Sequence, residues 1–167
     1  MARREATVHY PMLLTGKSRR ALVVGAGTVA RRKVAALQEA GVEVTVLAPH
    51  ASSLEGVTAI DGVWPQSAPA LVSFDLVFAA TDNRAVNADI ARCAREAHVW
   101  VNLADSPEES DFYTVATIRH EGALIAISTA GLDPARAKEL RLRLEAFLNG
   151  EASGSAPGTP HPPKGSS

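Results

Sequence analysis

Two closely spaced glycines near the start of the chain, Gly25 and Gly27, have the spacing of a phosphate-binding turn. They lie in Val24-Gly25-Ala26-Gly27-Thr28-Val29-Ala30, between a short apolar run and an amphipathic stretch. In a G-x-G-x-x-A turn the first glycine allows the tight bend, the second lets a pyrophosphate approach the backbone, and the alanine permits close helix–strand packing. The following helix offers free N–H groups to phosphates. The pattern predicts a dinucleotide site, against the simpler alternative of a structural turn.

The residues at the end of the next apolar run bear on which dinucleotide is bound. An acidic residue usually holds the ribose hydroxyls there, but this chain has Leu47-Ala48-Pro49-His50, with no carboxylate. Backbone groups and His50 could hold the ribose instead. Alternatively, Arg31, Arg32 and Lys33 could favour the phosphorylated cofactor, although a solvated helix face explains them equally well. These residues leave NAD and NADP both open.

Two further polar stretches follow apolar runs and are expected at the same edge of a sheet. Thr81 and Asp82 could line the nicotinamide side of the ligand, while Asp82 or Asn83 could equally cap the next helix. Asp105 ends a later run, where a carboxylate can accept a proton as a hydride leaves. It could instead fix an N–H-bearing substrate, or act as a turn residue before Pro107.

The elements that must position these groups alternate between two periodicities. Apolar runs of strand length alternate with stretches of helical spacing, which predicts parallel strands joined by right-handed crossovers. Near-continuous apolar strands indicate a sheet covered on both faces. We therefore predict a Rossmann-like, doubly wound α/β domain over residues 8–111. The strands are expected at Ala21–Val24, Val42–Ala48, Val57–Ile60, Asp75–Ala80 and His98–Leu103, and the helices at Thr28–Ala40 and Arg84–Ala97.

Residues 112–149 have a different pattern. Phe112–Arg119 and Ala123–Ser128 are strand-like runs around a short turn and predict a hairpin, while Asp133-Pro134 predicts the start of an amphipathic helix. This unit is too small to bury its own apolar face. We expect it to pack on the first unit or on a second copy, and a homodimer is the natural solution. Residues 150–167 are rich in Gly, Pro and Ser and predict a disordered tail.

Composition excludes several other classes of protein. The chain has 167 residues, 46% of them hydrophobic, and a net charge of −1, which argues against a nucleic-acid partner bound through a broad basic surface. No apolar run is long enough to span a membrane, and no secretory leader is seen, so a cytoplasmic setting is expected. The single cysteine, Cys93, excludes an internal disulfide, and no histidines are spaced as paired metal ligands. We expect no resident metal. The absence of a Tyr-x-x-x-Lys pair weighs against a short-chain dehydrogenase mechanism.

Residues 9 to about 149 resemble the precorrin-2 dehydrogenase family, which includes the N-terminal part of sirohaem synthase. The order and spacing of several separate motifs carry the resemblance, which makes it more specific than the glycine turn alone. The matching motifs are Tyr10-Pro11-Met12, the glycine turn continued through Arg31-Arg32-Lys33, Ala79-Ala80-Thr81-Asp82, Val101-Asn102-Leu103-Ala104-Asp105-Ser106-Pro107, and Ala126-Ile127-Ser128-Thr129-Ala130-Gly131.

The resemblance implies an NAD-dependent oxidation of precorrin-2 to sirohydrochlorin, and some members also insert ferrous iron. The family's key catalytic aspartate falls on Asp105. Its cofactor contacts fall on Thr28, Val29, Pro49 and His50, which favours NAD despite the missing carboxylate. Its dimer forms through the hairpin-and-helix unit.

The substrate of that family is a polycarboxylate, so donors near the proposed site are candidates for binding it. We expect Asn102, Ser128, Thr129, Arg136 and Lys138 to contribute, with surface solvation or scaffolding as the simpler alternative for each. Many relatives carry a further helical domain that helps to shape the tetrapyrrole site, whereas a polar tail follows the last helix here.

Two family positions differ here: Val115 replaces a proline and Ala130 replaces a glycine. Without the further helical domain, weaker substrate affinity and above all weaker iron insertion are expected. Two alternatives to the dehydrogenase remain: a non-catalytic NAD sensor, and iron insertion without a redox role.

Overall fold

The computed structural model describes residues 9–150, which form two compact units that meet between Thr114 and Val115. The predicted boundary after residue 111 falls three residues earlier. All but Gly150 of the predicted disordered tail lies outside the described residues. Within residues 9–150, no helix combines the length and apolarity that a membrane crossing requires.

The first unit is a five-stranded, fully parallel sheet with helices on both faces, so the predicted Rossmann-like fold is confirmed. Its strands stand in the order β3-β2-β1-β4-β5. The chain winds outward from β1 through β2 and β3, then returns to β4 beside β1. This reversal is the switch point, where ligands of open α/β sheets bind. The strands are β1 Arg20–Val24, β2 Glu43–Ala48, β3 Thr58–Asp61, β4 Leu76–Ala79 and β5 Trp100–Leu103, and the helices are α1 Thr28–Glu39 and α2 Arg84–Glu96.

Alternate residues along each strand point to opposite faces of the sheet, where they form two separate apolar cores. Ala30 and Val34 of α1 pack against one face, and Ile90 and Ala94 of α2 pack against the other. Helices on both faces explain why the central strands are apolar along their length. Among the described residues of this unit, α1 and α2 are the only crossover α-helices. The β2–β3 and β3–β4 connections contain the short 3-10 helices Ala51–Ser53 and Leu71–Ser73.

Strand β5 begins two residues later than the sequence predicts because His98 belongs to the turn that ends α2. That residue has a left-handed backbone, with φ of 56°, and its N–H donates to the Arg95 carbonyl at 3.0 Å. A bond of this kind closes a helix C-terminus. Glycine is usual at such a position, so a histidine gives no sequence signal of the turn.

The second unit is an antiparallel hairpin followed by one helix, as predicted. Strands β6 (Ala116–His120) and β7 (Ala123–Ile127) pair in antiparallel register, and α3 spans Pro134–Leu148. The Asp133 side chain accepts from the Arg136 N–H at 2.8 Å, which confirms it as the N-cap. Strand β6 starts four residues later than predicted, since Phe112 is bonded to β5 in the first unit.

Candidate functional site

A cavity of about 480 Å³ opens at the switch point of the sheet, beside the glycine turn. The turn after β1, the ends of β2 and β3, and the turn after β4 form its walls. Its lining is mainly apolar, which suits a planar heterocycle and leaves the polar backbone of the turns for phosphates and ribose. The lining residues are Val24 to Gly27, Leu47 to Pro49, Gly62 to Trp64, Ala80 to Asn83, and Val86.

Gly25 is required by the fold of this turn. Its φ is +116°, a region that side chains with a Cβ rarely adopt. A Cβ at this position would lie 2.3 Å from the Ala80 carbonyl oxygen. The turn after β1 is therefore pressed directly against the end of β4, which brings the two sides of the cavity together.

Gly27 is unconstrained by its own protein surroundings. Its φ is −72°, and a Cβ there would meet no atom within 4 Å. The residue is the N-cap of α1, and no side-chain cap satisfies the first turn of this helix. The free space over Gly27 and the N–H groups of the first turn together fit a diphosphate lying against the backbone.

The turn after β4 is held rigid by an asparagine that the sequence analysis did not identify. Asn87 of α2 is fully buried. Its Oδ1 accepts from the Thr81 N–H at 3.1 Å and from the Thr81 hydroxyl at 2.7 Å, and its Nδ2 donates to the Thr81 carbonyl at 3.1 Å. Asn83 caps α2 through Ala85 and Val86, so the predicted cap belongs to Asn83 rather than Asp82. The turn lining the cavity is thus fixed before ligand binds.

Trp64 forms a second wall of the cavity that sequence reasoning missed. Its indole is almost fully buried, and its Nε1–H donates to Asp89 Oδ2 at 2.8 Å. This bond, together with one from Arg92, lowers the pKa of Asp89. Trp64 follows the weakest predicted strand, so no pattern pointed to it.

The predicted cofactor residues divide into those that line the cavity and those beside it. Gly25, Gly27, Pro49, Thr81 and Asp82 line it. Among the described residues, Thr28, Val29 and His50 do not, although Thr28 and Val29 begin the helix whose N-terminus faces the glycine turn. Their contacts with a cofactor stay predictions.

The three basic residues of α1 have different surroundings. Arg31 Nε donates to the Ala26 carbonyl at 3.0 Å, so its guanidinium folds back over the glycine turn. Arg32 is exposed. Lys33 lies over the Phe78 ring, 5.1 Å from its centroid, and is not part of a solvated face.

Asp105 follows β5 at the carboxyl edge of the sheet and is exposed. It is not among the described residues that line the cavity. Its charge contributes to the raised pKa of Arg84, for which the hydrogen bond with Glu109 is the largest cause. The acid is therefore at the predicted edge, two strands along from β1, and its place beside a nicotinamide stays a prediction.

Asn102, predicted to bind substrate, has its amide bonded inside the protein. It is 5% exposed. Its Oδ1 accepts from Lys33 Nζ at 2.7 Å, and its Nδ2 donates to the Phe112 carbonyl at 2.8 Å.

The other predicted substrate residues lie in the second unit, before and within the first turns of α3. The Thr129 hydroxyl donates to the Asp133 carbonyl at 2.8 Å, and Arg136 pairs with Glu139 at 2.8 Å. Lys138 is exposed. The Ser128 hydroxyl accepts from the Ala130 N–H at 3.0 Å. Their substrate roles are untested by these contacts.

Neither the thiol nor any acid–imidazole cluster offers an alternative site. Burial raises the pKa of Cys93, which suits a thiol packed against the α2 core. Within residues 9–150, no three His, Cys, Asp or Glu side chains converge as metal ligands do.

The sheet order, the glycine turn and the cavity together define a dinucleotide-binding domain of the Rossmann class. A family model described as putative NAD(P)-binding matches residues 12–116. The chain belongs to this family.

Comparison with known proteins agrees with the family resemblance seen in the motifs. Siroheme synthases of Methylococcus capsulatus and Tolumonas auensis are each 37% identical to the chain over 145 residues, which cover 84% of this chain and 31% of theirs. The siroheme synthase of Gluconacetobacter diazotrophicus is 38% identical over 148 residues. The chain thus spans about a third of the length of these relatives. The solved structure of SirC, a precorrin-2 dehydrogenase, shares the fold with a TM-score of 0.65 and 24% identity, covering 84% of this chain and 74% of that one.

The two glycines predict opposite effects of adding a side chain. Gly27→Val should change the free energy of unfolding by less than about 1 kcal/mol, because open space surrounds the new Cβ, yet weaken NAD binding at least about tenfold by blocking the diphosphate. Gly25→Ala should instead destabilise the fold by about 3 kcal/mol, through the positive φ and the Ala80 contact. Urea unfolding and quenching of Trp64 fluorescence by NAD measure the two quantities. Unchanged affinity in Gly27→Val would place the diphosphate elsewhere.

Lys33 predicts a pH-dependent contribution to stability. Burial, reinforced by Arg32, lowers its pKa from 10.5 to about 8. Below pH 8 the folded state carries a partly buried ammonium. Between pH 8 and 10.5 mainly the unfolded state keeps the proton, so this contribution to the unfolding free energy rises with pH. From pH 7 to 10 the wild type should gain about 2 kcal/mol relative to Lys33→Met. Urea unfolding at both pH values measures the difference, and parallel pH dependences would contradict it.

Proposed function

We propose that the chain oxidises precorrin-2 to sirohydrochlorin, with NAD⁺ bound at the glycine turn. The observation that carries the proposal is the combination of an open diphosphate cradle over Gly27 with an acid, Asp105, on the same carboxyl edge of the sheet. The siroheme synthase relatives and the fold shared with a precorrin-2 dehydrogenase support the same reaction.

The surroundings of two of the three basic residues of α1 support NAD over NADP. Lys33 is turned into the sheet toward Asn102, and Arg31 is bonded to the Ala26 carbonyl. Neither contact leaves a preorganised cluster for a ribose phosphate. The hydroxyls of an unmodified ribose fit the backbone of Ala48 and Pro49, which line the cavity.

Loss of two hydrogens from precorrin-2 divides into a hydride and a proton. Bound NAD⁺ supplies the acceptor for the hydride and its electron pair. The Asp105 carboxylate takes the proton as general base, or holds an N–H of the macrocycle by hydrogen bond while water takes the proton. The rigid turn at Thr81, clamped by Asn87, fixes the edge against which the ligand lies.

Substitutions at Asp105 separate these two roles. Asp105→Ala removes both a base and an acceptor, and turnover should fall by about 10²–10⁴, with cofactor affinity within about twofold. Asp105→Asn keeps an acceptor and loses the base, so it should be as inactive as Asp105→Ala if the carboxylate takes the proton. Glu108→Gln, in the same loop, is the matched control and should retain activity. The assay is absorbance of NADH and sirohydrochlorin with precorrin-2 as substrate; full turnover by Asp105→Ala would end the assignment.

One incubation distinguishes the other functions of this site. The wild type is mixed with precorrin-2, with and without NAD⁺ and with and without ferrous iron. The proposal predicts sirohydrochlorin only when NAD⁺ is present. Cofactor binding without turnover would identify a sensor. Iron insertion is tested by supplying sirohydrochlorin and ferrous iron without NAD⁺, and sirohaem formed there, with no oxidation of precorrin-2, would identify iron insertion alone.

The second unit provides a surface for a homodimer. Large apolar side chains on it are exposed in the single chain, among them Leu132 at 82% and Phe147 at 67%. Leu142 of α3 and Leu124 of β7 are also exposed. Apolar side chains gathered on so small a unit favour burial against a second copy.

A charge placed on that surface should dissociate the dimer. Leu142→Asp/Phe147→Asp should shift the mass measured by light scattering from two chains to one, because burying unpaired carboxylates is unfavourable. Arg143→Asp, an exposed position of the same helix, should leave the dimer intact. A monomeric wild type would contradict this assignment and leave the reaction itself untouched.

A further inference from the structure

The loop that carries Asp105 is fastened along the outer edge of β5. The Asp111 carboxylate accepts from the Val101 N–H at 2.9 Å, and the Ser110 hydroxyl accepts from the Leu103 N–H at 2.8 Å. The Asp111 N–H in turn donates to the Val101 carbonyl at 2.8 Å. These bonds satisfy edge groups that no neighbouring strand reaches. Residues 104–111 are here called the acid loop. The same bonds tie the end of this loop back to the strand from which it starts.

Beside these bonds, a lysine of α1, distant along the chain, reaches the base of the acid loop. Lys33 extends from α1 across the Phe78 ring of β4, and its Nζ donates to Asn102 Oδ1 at 2.7 Å. The same amide donates from Nδ2 to the Phe112 carbonyl at 2.8 Å, directly after the loop. The Phe112 ring stands edge-on to Phe78, with centroids 5.4 Å apart.

Both partners of the Asn102 amide fix its orientation. An amide can rotate by 180° and exchange its oxygen with its nitrogen. The Lys33 ammonium can only donate, so it requires Oδ1, and the Phe112 carbonyl can only accept, so it requires Nδ2. A flipped amide would put two donors together at Lys33 and two acceptors together at Phe112.

The charge on Lys33 is unfavourable for stability in this position. No ion pair found within the described residues includes Lys33, and its partly buried ammonium contacts the amide oxygen and the Phe78 ring there. Burial lowers its pKa to about 8 accordingly. An apolar side chain would cover Phe78 without this penalty. Its contact with Asn102 is therefore what distinguishes the lysine from a packing residue.

We propose that Lys33 is a positioning residue for Asp105, acting through the Asn102 amide and the Phe112 carbonyl to hold the base of the acid loop. This inference rests on the proposed function where turnover is concerned. Lys33 would then affect turnover although it contacts neither the cofactor nor the substrate. It also accounts for Asn102, whose amide is occupied inside the protein.

Lys33→Met tests the proposal, since it keeps the length of the side chain and removes the donor. We expect kcat to fall at least about tenfold, as small displacements of a reacting group do, with KM and affinity for NAD within about twofold. In the same variant, hydrogen exchange of the Val101, Leu103 and Asp111 amides should accelerate at least about fivefold as the loop opens. Lys17→Met, an exposed lysine of the same unit, is the matched control and should change neither.

A double variant tests the route through Asn102. If Lys33 acts only through the Asn102 amide, its replacement has no further effect once that amide is gone, so Lys33→Met/Asn102→Leu should lower kcat no further than Asn102→Leu alone. Multiplied losses would show that the two residues act independently and would overturn the proposal. Unchanged kcat in Lys33→Met, or a fall in kcat with unchanged exchange of the three amides, would overturn it as well.

The exchange measurement needs no substrate and therefore separates this inference from the proposed function. If the wild type fails to oxidise precorrin-2 but Lys33→Met accelerates exchange of the acid loop, the reaction is wrong and the positioning contact stands. If the wild type is active and exchange is unchanged, the reaction stands and the positioning contact is wrong.

Discussion

The close contact between the turn after β1 and the carbonyl of Ala80 is the constraint on which the site depends. Gly25 adopts a φ of +116° and leaves no room for a Cβ against that carbonyl. The contact places the start of α1 at the switch point, with its unsatisfied N–H groups and the open space over Gly27 facing the cavity. The turn after β4, which carries Thr81, lies next to the same contact, while strand pairing places the ends of β2 and β3 on the other side of the cavity.

The reacting edge depends on polar contacts more than on the apolar cores. Asn87 fixes the turn after β4 from within α2, and Arg84 and Arg95 of the same helix bond to Glu109 in the acid loop. The carboxylates of that loop are thereby held close together, next to cations that lower the repulsion between them. Hydrogen bonds from both β5 and α2 therefore hold the acid loop in place.

The sequence predicted the elements and the glycine turn because periodicity and turn chemistry are local signals. Asp133 as a helix cap and the open position at Gly27 were predicted for that reason. The start of β5 was missed because His98 replaces a glycine at a helix terminus. Trp64, Asn87 and the burial of Lys33 could not be predicted, since each is defined by contacts between residues distant along the chain: Trp64 with Asp89, and Lys33 with Asn102. Asp105 was predicted at the correct edge of the sheet. That it lies outside the cavity lining could not be predicted, because this depends on the order of the strands in the sheet.

The account requires the bound dinucleotide to extend from the glycine turn toward the acid loop. A crystal structure of the NAD⁺ complex measures this orientation directly. The account predicts the diphosphate over Gly27, the adenosine between Pro49 and Trp64, and nicotinamide C4 directed toward the end of β5, with room for a macrocycle between it and Asp105. A nicotinamide ring lying instead beside β2 and β3, with the adenosine over β5, would contradict the account.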